Sequence, residues 1–256
     1  MRSSRISRVG VGIIGMALWI LAAGCLSRPV PAPAPPLPQT VQVVGSSDMA
    51  PWVQKARIRA QRHVPPVELF YTPTDTTIGL HLLQAGRADV ALASWLPQGP
   101  PAGYLTDSLG QDAIAIIVHP GVQLATLDLD LLRHIFSGRY LTWSALGGAH
   151  IPLRLVSREK GSGTRAAFEH KVMGKEPVAL TAVVMATAQD VVTYVARHDG
   201  AIGYVSWRLV NSRVRVVAVN GILPTESNLQ TGVYPLKREV FALFSPDAVS
   251  LQSFWK

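Results

Sequence analysis

The chain has 256 residues, 48% of them apolar, a formal net charge of +8 and one cysteine. That apolar fraction supports a packed core and excludes disorder as the default state. A single cysteine excludes a disulfide within the chain, and the length suits one large domain or two small lobes.

Residues 1–24 read as an export signal. Arg2, Arg5 and Arg8 form a positive start with no acid to offset them, and residues 9–23 are almost unbroken apolar sequence. That run is too short and wrongly flanked for a membrane span. It ends in Leu21-Ala22-Ala23-Gly24-Cys25. Small residues before the only cysteine resemble a bacterial lipobox, which implies Cys25 as the lipidated first residue of the mature protein. Without those three arginines, 21 basic residues face 16 acidic ones, a net +5. This balance fits an anionic ligand or an anionic membrane surface. No basic run with interleaved aromatics appears, so nucleic acid is not expected as a partner. Residues 25–40 read as a tether, because Pro29, Pro31, Pro33, Pro35, Pro36 and Pro38 impose an extended spacer.

From residue 41 the composition turns globular. Short β-branched runs alternate with amphipathic stretches, the pattern of an α/β fold. Strands are predicted over 41–45, 67–71, 89–94, 113–118, 151–157, 202–206, 214–219 and 241–244. Helices are predicted over 49–62, 77–84, 126–136, 164–173 and 187–197. The 126–136 helix rests on Leu127, Leu131, Leu132 and Ile135 at helical spacing, with Gly138 as its stop. Thr187 and Asp190 fit a capping box that opens the 187–197 helix. No internal repeat is present. The chain stops at Trp255-Lys256, about where a final helix is expected to begin. In an open sheet of this kind, helix N-termini at the strand ends offer free N–H groups that suit anions, and the ligand crevice lies there.

The stretch richest in chemistry is Arg158-Glu159-Lys160-Gly161-Ser162-Gly163-Thr164-Arg165. A predicted strand runs into a glycine-rich turn that opens a helix. Gly161 and Gly163 let successive N–H groups converge on one oxyanion. Ser162 and Thr164 add hydroxyl donors, and Arg158 can give a bidentate charged contact to two oxygens. A plain turn with Ser162 as N-cap is the other reading of the same residues.

Six motifs in order resemble the phosphate-binding proteins of bacterial phosphate ABC importers. They are Gly45-Ser46-Ser47-Asp48-Met49-Ala50-Pro51; Gly86-Arg87-Ala88-Asp89 through Ser94; Ile135-Phe136-Ser137-Gly138-Arg139 with Thr142-Trp143; the Arg158-to-Glu169 run; Ala201-Ile202-Gly203-Tyr204-Val205; and Tyr234-Pro235-Leu236 with Arg238. The resemblance implies an α/β fold of the type II periplasmic-binding-protein kind, two lobes joined by a two-strand hinge with ligand in the cleft. It implies lobe I at about 41–119 plus 203–256 and lobe II at about 124–196. The chain would cross between them near 118–122 and 197–203. It also implies the ligand residues: the hydroxyl of Ser47, the backbone N–H of Asp48, the hydroxyl of Thr76, and an opposing wall of Arg158, Ser162, Gly163 and Thr164. The expected role is that of a monomeric binding protein, not an enzyme, that passes phosphate to an ABC permease complex and needs no cofactor. Another tetrahedral oxyanion (sulfate, molybdate or tungstate), or a signalling or scaffold lipoprotein reusing the fold, is the alternative.

One position departs from the pattern. Trp95 follows Ala93-Ser94 where the family usually places Asp or Arg. In the Asp-bearing members that carboxylate accepts the proton phosphate keeps at neutral pH, and an indole cannot accept one. Asp48 and Asp75 are the candidate substitutes. His63, His81, His119, His134, His150, His170 and His198 lack paired ligand spacing, so no metal is expected. Neither the G-x-S-x-G frame of a serine hydrolase nor a phosphate-binding ATPase loop appears.

Overall fold

The computed structural model describes residues 39–256. The signal, Cys25 and nearly all of the tether lie outside the described residues.

The first half of the fold starts with β1 (Gln39–Ser46), which pairs in parallel with β2 (Val67–Thr74) and β3 (Val90–Ala93). Val41 and Val43 of β1 are buried together on one face. Onto that face packs α1 (Ala50–Gln61), which buries Trp52, Val53, Ala56 and Ala60 at helical spacing. On the other face lies α2 (Thr76–Gln84), whose N-cap Asp75 accepts the Ile78 N–H at 2.6 Å. A Cβ at Gly45, where φ is +117°, would overlap the Leu92 carbonyl, so this close approach of β1 to β3 requires glycine.

The strand β4 (Leu105–Val118) belongs to both halves. Its first part pairs antiparallel with β10 (Lys237–Phe244), and β10 also pairs with β3. Its second part pairs with β8 (Ala201–Ser206) and β9 (Arg215–Val219). The order β2-β1-β3-β10-β4-β8-β6-β7 therefore runs through both lobes. Here β6 (Arg154–Arg158) and β7 (Val183–Met185) continue the second lobe in parallel with β8, while β5 (Thr126–Leu127) pairs with β9. Its helices are α3 (Leu129–Phe136), α4 (Gly163–Phe168, prolonged by the π-helical turn Glu169–Met173), α5 (Ala188–Arg197) and α6 (Glu226–Gln230).

The two crossings differ from the expected ones. The partner of β4 changes between Ala113, opposite Lys237, and Ile114, opposite Ser206. The chain returns at Leu236–Lys237, where the Leu236 carbonyl accepts the Ile114 N–H at 2.9 Å. Residues 114–118 are thus the centre of the second lobe, not an approach to the hinge. All are fully buried, because one apolar cluster covers each face. Tyr204, Val217, Leu229, Tyr234 and Leu236 share a cluster with Phe136 and Phe168, so 203–236 packs with the second lobe instead of the first. Before Trp255, the 3₁₀ segment Pro246–Phe254 buries Leu251 and Phe254 in the α1 cluster.

Candidate functional site

The carboxyl ends of β1, β3, β6 and β8 meet between the two halves. β1 delivers Ser46, then Ser47 and Asp48 in a 3₁₀ turn. β3 ends beside Ser94, β6 ends at Arg158, and β8 ends at Ser206. Arg238 and Asp112 are paired residues on β10 and β4, beside the crossing. Asp48, Asp112, Arg158, Thr164, Ser94, Ser206 and Arg238 are all at most 3% exposed.

The Asp48 carboxylate is the centre of this cluster. Its Oδ2 accepts from Thr164 Oγ1 at 2.6 Å and from Arg158 Nη1 at 3.1 Å. Its Oδ1 accepts from the Ser206 N–H at 3.0 Å and lies 3.7 Å from Arg238 Nη2. Ser46 Oγ adds a longer contact to Oδ2 at 3.4 Å. Arg238 holds Asp112 through Nη2 at 2.7 Å and Nε at 3.1 Å, and donates from Nη1 to Thr164 Oγ1 at 2.6 Å. Thr164 is therefore a relay that accepts from one guanidinium and donates to the carboxylate beside the other.

Charge fixes the protonation of this cluster. Burial acts to raise the Asp48 carboxyl, but Arg238, Arg158, Thr164 and the Ser206 N–H outweigh it and hold it below its ordinary 3.8. Asp112 is pushed up instead: burial and the nearby Asp48 outweigh its two partners, Arg238 and the Ser206 hydroxyl, which donates to Oδ1 at 2.9 Å.

The structure brings the seven expected residues to this region but uses several differently. The bidentate fork of Arg158 is turned to Glu159, with Nη2 to Oε1 at 2.8 Å and Nε to Oε2 at 3.0 Å. The Met185 and Ala186 carbonyls accept from it as well, so only Nη1 faces the cluster centre. Ser47 Oγ accepts the Ala188 N–H at 3.1 Å, tying β1 to the start of α5. Thr76 Oγ1 accepts the Ser94 N–H at 3.2 Å. Ser162 is the N-cap of α4, accepting from Arg165 N at 3.3 Å. Gly163 is one place where the halves approach closely: a Cβ there would lie 2.5 Å from Thr76 Oγ1, 2.6 Å from Ser94 Oγ and 2.9 Å from Trp95 N. Asp75 is occupied in capping α2, whereas Asp48 sits at the centre.

Sequence reasoning did not assign Ser94, Ser206, Asp112 or Arg238 to the site. Ser94 links Ser46, Thr76 and Thr164 through its hydroxyl at 2.9 to 3.5 Å. The available signal was a charge opening a β run: Asp112 stands directly before the apolar 113–118, and Arg238 lies within Lys237-Arg238-Glu239 just before Val240. Trp95 packs against the second lobe's cluster, its ring 5.7 Å from that of His170 with Lys171 Nζ 5.5 Å from its centroid.

A family model described as the PBP superfamily domain matches residues 30–254. The phosphate-binding protein PstS of Bacillus subtilis (strain 168) is 28% identical over 205 residues, spanning 77% of this chain and 67% of that protein. Among solved structures, a candidate phosphate ABC transporter substrate-binding protein from Clostridium perfringens, with bound phosphate, superposes with a TM-score of 0.79 at 26% identity, over 85% of this chain and 91% of that one. An ABC-type phosphate transport receptor from Vibrio cholerae gives a TM-score of 0.66 at 26% identity, over 84% and 93%.

Proposed function

The chain belongs to the PBP superfamily, and from that premise we propose that it captures inorganic phosphate outside the cytoplasmic membrane and delivers it to an ABC importer. It is a binding protein, not an enzyme, like the phosphate-binding relatives it resembles. The observation that carries the reading is the buried meeting of Arg158 and Thr164 from one lobe with Thr76, Ser94 and Asp48 from the other. A dehydrated oxyanion needs its lost water bonds replaced by fixed donors, and charge-assisted ones are the strongest. Arg158 and Thr164, with the Ser47, Thr76 and Ser162 hydroxyls and the backbone N–H groups of Asp48 and Gly163, would be those donors. Because they come from both lobes, binding would be coupled to lobe closure, which a permease can read.

Among the described residues, no helix is long and apolar enough to cross a membrane. Attachment would instead run through a lipid on Cys25 and the proline-rich tether, and Cys25→Ala should shift the protein from the membrane to the soluble fraction. A second reading, a receptor for sulfate, molybdate or tungstate, is favoured by Trp95, which supplies no carboxylate where the family usually has Asp or Arg. Uptake of labelled phosphate by cells carrying Thr164→Val tests the proposal. High-affinity uptake should fall about tenfold or more for loss of one charge-assisted donor set, with protein level unchanged. Unchanged phosphate uptake, or uptake competed only by sulfate, would refute it.

A further inference from the structure

We propose that the Asp48 carboxylate is a resident anion: it occupies the donors an incoming oxyanion needs, and so sets the affinity of the site and ties the two lobes together. This rests on the binding reading above for the affinity claim, but not for the tie between lobes.

Asp48 is rooted in the first lobe, at the end of β1. Its three shortest partners all come from the second lobe: Arg158 Nη1 from β6, Thr164 Oγ1 from α4 and the Ser206 N–H from β8. A carboxylate held in this way makes the contacts that would be expected of a bridging oxyanion. The other donor capacity of these groups is already committed. Arg158 spends Nη2 and Nε on Glu159, Met185 and Ala186. The single proton of Thr164 goes to Asp48 while its oxygen accepts from Arg238. An oxyanion that takes the Thr164 proton, or the Nη1 hydrogen of Arg158 that is aimed at Asp48, must take it from Asp48.

The charge count agrees. Two buried guanidinium groups, Arg158 and Arg238, face two buried carboxylates, Asp48 and Asp112, with the partly exposed Glu159 on the outer side of Arg158. The cluster is already balanced, and an added dianion would leave uncompensated negative charge in a dehydrated place, which is costly. Removing Asp48 leaves a positive excess that would strengthen the hold on an oxyanion.

The experiment compares the wild-type full chain with Asp48→Ala and Asp48→Asn. Each is titrated with inorganic phosphate and with sulfate, and its radius of gyration is measured by small-angle X-ray scattering in oxyanion-free buffer. The neutral variants should bind at least one of the two anions about tenfold or more tightly than the wild type. They should also be more expanded than the wild type, and compact again when that anion is added. Equal or weaker binding by the neutral variants overturns the proposal and leaves phosphate capture standing. If no protein binds either anion, phosphate capture fails and the scattering decides: expansion in the variants sustains the resident-anion tie, and unchanged dimensions overturn it. Should Asp48→Ala not fold, Asp48→Asn carries the same comparison.

Discussion

Asp48 and Asp112 both lie beside Arg238, yet their carboxyls shift in opposite directions, because Asp48 has a second guanidinium and Asp112 does not. For Asp48 the consequence for stability has a definite sign. A carboxyl lowered in the folded state contributes stability above its unfolded value of 3.8 and loses it as pH falls below that. The stability difference between wild type and Asp48→Asn, measured by urea unfolding, should therefore be constant near neutrality and shrink as pH falls through 3.8. Among the described residues Asp112 has Arg238 as its one charged partner, beside the neutral Ser206 hydroxyl. Arg238→Met strands it in the interior, and breaking a buried pair on one side costs about 3–5 kcal/mol; a lower urea midpoint with unchanged slope would register it, and a change below about 1 kcal/mol would contradict the burial argument. These partners were hard to read from sequence. Asp112 and Arg238 are far apart in the chain and meet only through the register of β4 and β10. By contrast, Thr164, Arg158 and the Asp48 turn lie in local motifs, and a local motif survives without the fold.

At the scale of elements, the legible ones carried their own punctuation. The capping box of α5 forms as expected, with Thr187 Oγ1 accepting the Asp190 N–H and the Asp190 carboxylate accepting the Thr187 N–H. Helix α3 starts at Leu129 instead of residue 126, because Asp128 caps it and Thr126–Leu127 pairs with β9. The first part of β4 was missed because Thr106, Asp107, Ser108, Gly110 and Gln111 read as loop; β10 supplies the pairing that makes them strand. The short β7 and α6 were missed as well, since three or five residues carry too little periodicity to register. One element-scale prediction concerns the start of α4. Gly163→Ala places a methyl against Thr76, Ser94 and Trp95, all in the first lobe, while α4 itself belongs to the second. Overpacking of this kind costs about 1–3 kcal/mol, and here it falls on the contact between lobes. Phosphate affinity should drop about tenfold or more at unchanged helix content by circular dichroism, whereas full wild-type affinity would mean the lobes need not approach at this point.

For the whole molecule, the two-lobed α/β architecture was legible, but the boundary between lobes was not. The run 113–118 followed by His119-Pro120 reads as a strand ending at a hinge, and only the burial of both its faces reveals it as a lobe centre. Trp95 gives the same lesson: as a sequence feature it was a missing acceptor, and in the fold it reaches from the first lobe into the second lobe's cluster beside His170 and Lys171. Phosphate capture and the affinity role of the resident carboxylate both require the buried cluster between the lobes to be an oxyanion site. Isothermal titration of the purified protein with phosphate, then with sulfate, near neutral pH tests this most directly. Phosphate should bind saturably and one-to-one, and sulfate should not match it; absence of phosphate binding at millimolar concentration would contradict an oxyanion site.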